Sequence, residues 1–183
     1  DLVIQFRKKD SITPIVFMGY MNPFEAMGAE NFCSRAYKSG LDGILLVDMP
    51  PEESRNFTRA ASTNSLDLIR LIAPTTDEKR IKNICTDASG YIYYISVKGV
   101  TGSNKIDPVE VKSKVNTIQS MTDLPVVVGF GIKDADSVTS VRDLSDGIVV
   151  GSALVSLIAE GKNQLSDKIS NKIEELSSAL LSE

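Results

Sequence analysis

The chain has 183 residues, 42% hydrophobic and 24% charged, with a formal net charge of −4 and no histidine. That length fits one sizeable core and one domain, 1–183. The acidic balance without a basic stripe speaks against nucleic acid, runs as short as VVVGFGI do not span a membrane, and the missing histidines remove His-based triads and most zinc sites.

The opening DLVIQFRKKD reads as a charged, amphipathic helix end rather than a secretory leader. After it, short apolar runs alternate with segments of helical period. The runs fall at 14–18, 43–47, 67–72, 91–95, 125–129 and 146–150, rich in Val, Ile and Tyr. Helical patterns occupy about 25–39, 51–63, 77–88, 107–120 and 134–143. A last one, 162–182, sets Leu165, Ile169, Ile173, Leu176 and Leu180 on one face. Gly40 suits a helix stop, and Pro51 with Glu52 and Glu53 suits a first turn. Cys33 and Cys85 lie in helical patterns and read as buried or half-buried free thiols of a reducing compartment, the cytoplasm.

Most of the apolar runs are continuous rather than alternating, as in parallel strands covered on both faces. Six βα units imply a parallel α/β fold, either a doubly wound sheet or a (β/α) barrel. An eight-unit barrel takes roughly 250 residues, so on the barrel reading about two units are missing, and they are the first two. The strands at 14–18 and 146–150 then become open edges. Low stability in isolation, or a partner chain over the gap, is the expectation.

Two turns point to a ligand. In VVVGFGIKDADSV (126–138) a strand runs into Gly129-Phe130-Gly131 ahead of a helix, and GIVVGSALV (147–155) repeats the arrangement with Gly151-Ser152. Glycines there let a ligand approach the backbone, and the following helix offers its positive end to an anion. The pattern lacks the third glycine of a dinucleotide fingerprint, and no Walker motif occurs. A small phosphate ester or mononucleotide fits better, since loops after the last strands of a barrel commonly hold phosphate. The alternative is that these glycines only make tight turns. The long loop in GYIYYISVKGVTGSNKIDP (90–108) has the character of a lid. Asp48 ends its strand, where a carboxylate is either catalytic or a helix cap.

The stretches TPIVFMGYMNP (13–23), GLDGILLVDMPPEES (40–54), LIAPTTDEKRI (71–81), GYIYYISVKGVTG (90–102), DLPVVVGFGI (123–132) and DGIVVGSALV (146–155) together resemble the tryptophan synthase α chain, over nearly all of 1–183. The resemblance implies an incomplete (β/α)8 barrel holding the family's strands 3–8. It implies a lyase that splits indole-3-glycerol phosphate into indole and glyceraldehyde 3-phosphate, without a cofactor of its own. Pyridoxal phosphate belongs to the partner β chain of an αββα assembly. It also assigns residues. Gly102, Gly131, Gly151 and Ser152 would bind the substrate phosphate, and Phe130 and Met18 would lie along the indole. Tyr93 would line the active site and Thr101 would fasten the lid. Asp48 matches neither of the family's essential positions and reads as standing behind the site or as a helix cap. Asn22-Pro23 would face the β chain.

One departure limits the reading. The family's two essential carboxylates sit at and just after its second strand, and nothing here matches them. C–C cleavage needs a proton delivered to the indole ring and one removed from a glycerol hydroxyl. A phenol, ordinarily titrating near about 10, is a poor base at neutral pH. The 183 residues are therefore expected to bind phosphate but to be nearly silent in catalysis. Other readings are a sugar-phosphate isomerase or epimerase barrel, which needs its own acid–base pair, or a non-catalytic remnant binding a β-type partner or small phosphates. The DNA upstream of Asp1 would separate the truncated enzyme from the remnant.

Overall fold

The computed structural model describes residues 1–49, 55–96, 107–129, 131–161 and 164–182. Its contacts cluster into two compact units, Asp1–Ile72 with Thr76–Ile92, and Ala73–Thr75 with Tyr93–Glu183.

The first unit holds α1 (Leu2–Arg7), β1 (Val16–Gly19), α2 (Met21–Met27), α3 (Ala29–Ser39), β2 (Gly43–Leu46), α4 (Arg55–Thr63), β3 (Asp67–Ile72) and α5 (Glu78–Thr86). The strands run parallel in chain order, Val16 opposite Gly43 and Gly43 opposite Asp67. β2, between its two neighbours, is buried at all four positions, as its unbroken apolar run implies. In β1, at the edge of this unit, Phe17 and Met18 remain exposed. On the helix side Ile44, Leu46 and Leu68 pack with Phe32, Cys33 and Phe57. Phe24 meets Phe32 edge-on, ring centroids 4.5 Å apart.

The continuous helix expected over 25–39 is in fact two helices. Gly28, at φ 77°, ends α2 and begins α3, a conformation that costs glycine little and other residues much. Gly40 stops α3 at φ 91°. The Arg7 side chain lies against it, donating from Nε to the Gly40 carbonyl at 2.7 Å and pairing with Asp42. Asp77 caps α5 by accepting from the Arg80 N–H at 2.8 Å.

The second unit holds β4 (Ile92–Ile95) from its second residue on, α6 (Pro108–Gln119), β5 (Val126–Gly129), α7 (Ala135–Thr139), a 3-10 turn (Arg142–Leu144), β6 (Gly147–Val149), α8 (Ser152–Ala159) and α9 (Leu165–Leu181). β5 and β6 are parallel, Val127 opposite Gly147 and Gly129 opposite Val149. At the end of β4 the Ser96 N–H donates to the Gly129 carbonyl at 3.3 Å. Asp107 caps α6 by accepting from the N–H groups of Val109 and Glu110, with Pro108 in the first turn. The helix expected over 134–143 shortens to α7 and the 3-10 turn. The Ser140 hydroxyl bonds to the Ser137 carbonyl and the Thr139 hydroxyl to that of Ala135, and such side-chain bonds compete with helical ones. Of the apolar face expected in α9, Leu176 is buried and packs with Ile132, Val138 and Val141, whereas Ile173 and Leu180 stay exposed.

Candidate functional site

The register of β5 and β6 builds the site. Gly129 stands opposite Val149, so Gly131 and Gly151, each two residues further on, leave adjacent strands at the same end. Neighbouring strands lie about 4.8 Å apart. Both glycines are exposed, and a Cβ built on either would meet no atom of the described residues within 4 Å. Gly151 has a φ of −120°. Among the described residues, packing therefore requires glycine at neither position.

Ser152 opens α8, and the N-cap Gly151 contributes no side chain. The Leu154 and Val155 N–H groups already donate to the Gly151 carbonyl, at 3.0 and 3.1 Å. The N–H groups of Ser152 and Ala153 precede these and lie ahead of the intrahelical ladder. No acidic side chain sits in the first turn. The arrangement favours an anion: outward N–H groups, the positive helix end and room for a ligand. At the other turn the Lys133 and Asp134 N–H groups donate to the Ser137 hydroxyl, at 3.0 and 3.1 Å.

Gly129 has a different reason to exist. A Cβ there would lie 2.0 Å from the Tyr93 hydroxyl oxygen and 2.1 Å from Cε2. The phenol of Tyr93 lies directly across the Gly129 α-carbon. Gly129 thus makes room for a side chain of the fold, and the space ascribed to it for a phosphate belongs to Gly131. Tyr94 points the opposite way and is 1% exposed. Burial pushes its phenol pKa up, the nearby Glu110 adds to this, and a hydrogen bond with Ser96 works against it. Adjacent tyrosines thus differ: Tyr94 fills a core, and Tyr93 lies against Gly129.

Tyr93, Gly131, Gly151 and Ser152 all lie in the second unit. Met18 and Asp48 lie in the first. Met18 is 57% exposed, and Asp48 accepts the Met21 N–H through Oδ1 at 2.6 Å. Phe130, Thr101 and Gly102, with the first turn assigned to Pro51, Glu52 and Glu53, lie outside the described residues. Cys33 and Cys85 are buried free thiols. Burial, with a smaller contribution from Glu30, pushes the Cys33 thiol up to about 11, and burial raises Cys85 as well. Among the described residues no group of three His, Cys, Asp or Glu could hold a metal ion, and no helix is long and apolar enough to cross a membrane. The fit of Tyr93 on Gly129 was missed in the sequence. Its only signal was a tyrosine in one strand and a glycine closing another.

The family model described as "Tryptophan synthase alpha chain" matches residues 1–181. The chain is 51% identical over 159 residues to the tryptophan synthase alpha chain of Thioalkalivibrio sulfidiphilus, covering 87% of this chain and 60% of the relative. It is 46% identical over 179 residues to that of Paraburkholderia phymatum, covering 97% and 66%. It thus spans about two thirds of these relatives' length or less. Among solved structures it is similar to a chain of the tryptophan synthase α2β2 complex of the hyperthermophile Pyrococcus furiosus. There the TM-score is 0.87 at 35% identity, over 97% of this chain and 71% of that one. A tryptophan synthase subunit alpha from Legionella pneumophila matches at TM-score 0.83 and 36% identity, over 98% and 66%. The six strands, each followed by helix, are those of an incomplete (β/α)8 barrel, and the chain belongs to the tryptophan synthase alpha chain family.

Proposed function

We propose that the protein carrying this chain is a lyase of tryptophan biosynthesis that cleaves indole-3-glycerol phosphate to indole and glyceraldehyde 3-phosphate. It works with a β chain in an αββα assembly, in the cytoplasm. Residues 1–183 form one partial barrel domain on this reading. The observation that carries it is the pair of register-matched glycines, Gly131 and Gly151, neither with a described neighbour within 4 Å of its Cβ position, beside the first turn of α8.

The phosphate dianion sits over these two glycines. It accepts from backbone N–H groups at Gly131, Gly151 and Ser152 and from the Ser152 hydroxyl; the family resemblance adds Gly102 to these phosphate contacts and assigns Thr101 to the lid. Binding energy at this non-reacting end orients the rest of the substrate. The family resemblance assigns Phe130 and Met18 to the indole, Tyr93 to the active-site lining and Asp48 to a supporting role. Cleavage delivers a proton to the indole ring carbon as its bond to the glycerol chain breaks. The neighbouring hydroxyl loses its proton and becomes the aldehyde. The two carboxylates that the family uses for these transfers have no match among the 183 residues. This polypeptide by itself binds phosphate esters and turns over little substrate.

The test is Gly131→Asp in the gene product that contains these residues. A Cβ at 131 would meet no atom of the described residues within 4 Å, so the fold is expected to accept the new side chain while its carboxylate repels a phosphate. Loss of glycerol 3-phosphate binding with an unchanged circular dichroism spectrum is the expected result. Retained binding refutes the site, and rapid indole release by the 183 residues alone refutes the division of labour.

A further inference from the structure

We infer that Asp48 is a positioning residue. Its carboxylate stands in for the cap that α2 lacks and so fixes the β1–α2 corner, with Met18 and Tyr20, against the end of β2. This rests on the reading that places substrate at these strand ends.

α2 needs such help. Its N-cap is Tyr20, extended at φ −90° and ψ 153°, and makes no side-chain cap bond. A tyrosine hydroxyl, carried at the far end of a ring, cannot fold back onto the first-turn N–H groups as Asp or Ser does. The helix has seven residues, none fully buried, and no acidic side chain in its first turn. So short a helix holds its shape only through its surroundings.

The support comes from 27 residues away. Asp48 Oδ1 accepts the Met21 N–H at 2.6 Å, at the first helical residue of α2. The bond continues a zipper. Gly19 is paired with Leu46, the Val47 N–H donates to the Gly19 carbonyl at 2.9 Å, and the next residue, Asp48, reaches the next corner. Beyond it Phe24 seats its ring on Gly19, where a Cβ would come within 3.0 Å of Cε2, and meets Phe32. One end of α2 is thus held by a charge-assisted hydrogen bond and its middle by an aromatic cluster. Met18, one residue before Gly19, is the exposed side chain whose presentation depends on that corner.

A carboxylate at a strand end has a rival role as an acid or base, and the two roles separate on substitution. Asparagine keeps the accepting oxygen and caps as well as aspartate, but it carries no titratable proton. In the gene product containing these residues, Asp48→Ala is expected to raise KM for indole-3-glycerol phosphate about tenfold, the factor set by one lost charge-assisted bond. Inhibition by glycerol 3-phosphate, which reports only the phosphate end, is expected to stay unchanged. Asp48→Asn is expected to restore KM and to hold kcat within about twofold. Loss of kcat in the asparagine variant, or a native KM in the alanine variant, overturns the inference. Amide exchange at Met21 decides independently of substrate. It should accelerate at least about tenfold in Asp48→Ala relative to the amides of α3, and equal rates overturn the inference. If the unsubstituted protein releases no indole, the proposed function fails, while the exchange comparison still judges Asp48.

Discussion

Gly129→Ala tests the packing of the site's tyrosine. The added methyl would stand 2.0, 2.1 and 2.3 Å from the hydroxyl oxygen, Cε2 and Cζ of Tyr93. Carbon atoms settle about 3.5–4.0 Å apart, so the ring must retreat by roughly 1.5 Å. Overpacking of this kind costs about 1–3 kcal/mol. Gly129 lacks a positive φ, so alanine is not strained there, and the stiffer unfolded chain returns about 0.4–1 kcal/mol. The net loss is about 0.5–2.5 kcal/mol. With a urea slope of about 2 kcal/mol per molar, the midpoint falls by roughly 0.3–1.2 M. The chain has no tryptophan, so far-ultraviolet circular dichroism is the probe. Gly131→Ala is the control: its methyl meets nothing within 4 Å, and stability should stay within about 0.5 kcal/mol. In a Tyr93→Ala background Gly129→Ala should cost nothing. Equal midpoints for the two alanine variants, or an undiminished cost without the tyrosine, would refute the reasoning.

Two further outcomes follow from side-chain ionisation. Cys33 is fully buried, with its thiol pushed up to about 11 by burial first and Glu30 second, and Cys85 is shifted the same way. Ellman's reagent at pH 8 should therefore label neither until urea is added, and prompt reaction in the native state would count against the buried assignment. Asp134 is held below its ordinary value mainly by its hydrogen bonds with Ser137, and Glu175 mainly by Lys172. A depressed folded pKa contributes stability above the unfolded value, near about 4, that is lost as pH falls through the folded value. Protection of the α7 amides should decline below about pH 4. Asp134→Asn, which still caps but cannot titrate there, should flatten that decline, and an identical acid limb in both proteins would exclude Asp134 as a cause.

The strands could be read from residues because their burial is continuous: GILL at 43–46 carries no polar position and is buried throughout. Helix stops carried by glycine were half legible. Gly40 follows a clear amphipathic run, whereas Gly28 sits inside one, and only its φ of 77° shows that the run is two helices. The site divides similarly. Gly-x-Gly at a strand end and Gly-Ser at a helix start are local patterns, so Gly131, Gly151 and Ser152 could be proposed as phosphate contacts from the sequence. Asp48 could be named as a strand-end carboxylate, but not its partner. The Met21 N–H is 27 residues away, and the bond exists only because parallel pairing brings the ends of β1 and β2 together. Tyr93 on Gly129 is hidden for the same reason, since a strand's neighbour is a tertiary fact.

The two glycines of GFG differ in what the described residues ask of them. A glycine kept for backbone strain shows a positive φ, as Gly40 does. One kept for packing shows a neighbour where its Cβ would be, as Gly129 does with Tyr93. Gly131 has no described neighbour where its Cβ would be, as the proposed phosphate contact needs. Gly151, at φ −120°, has none either and is set beside Gly131 by the register of β5 and β6. A chance excess of glycine would not repeat at matching positions of adjacent strands, one of them opening a helix without a first-turn acid. Gly129 and Gly131 are one residue apart and obey different constraints. Alanine at 129 should harm the fold first and binding second, whereas a carboxylate at 131 should remove binding and spare the fold.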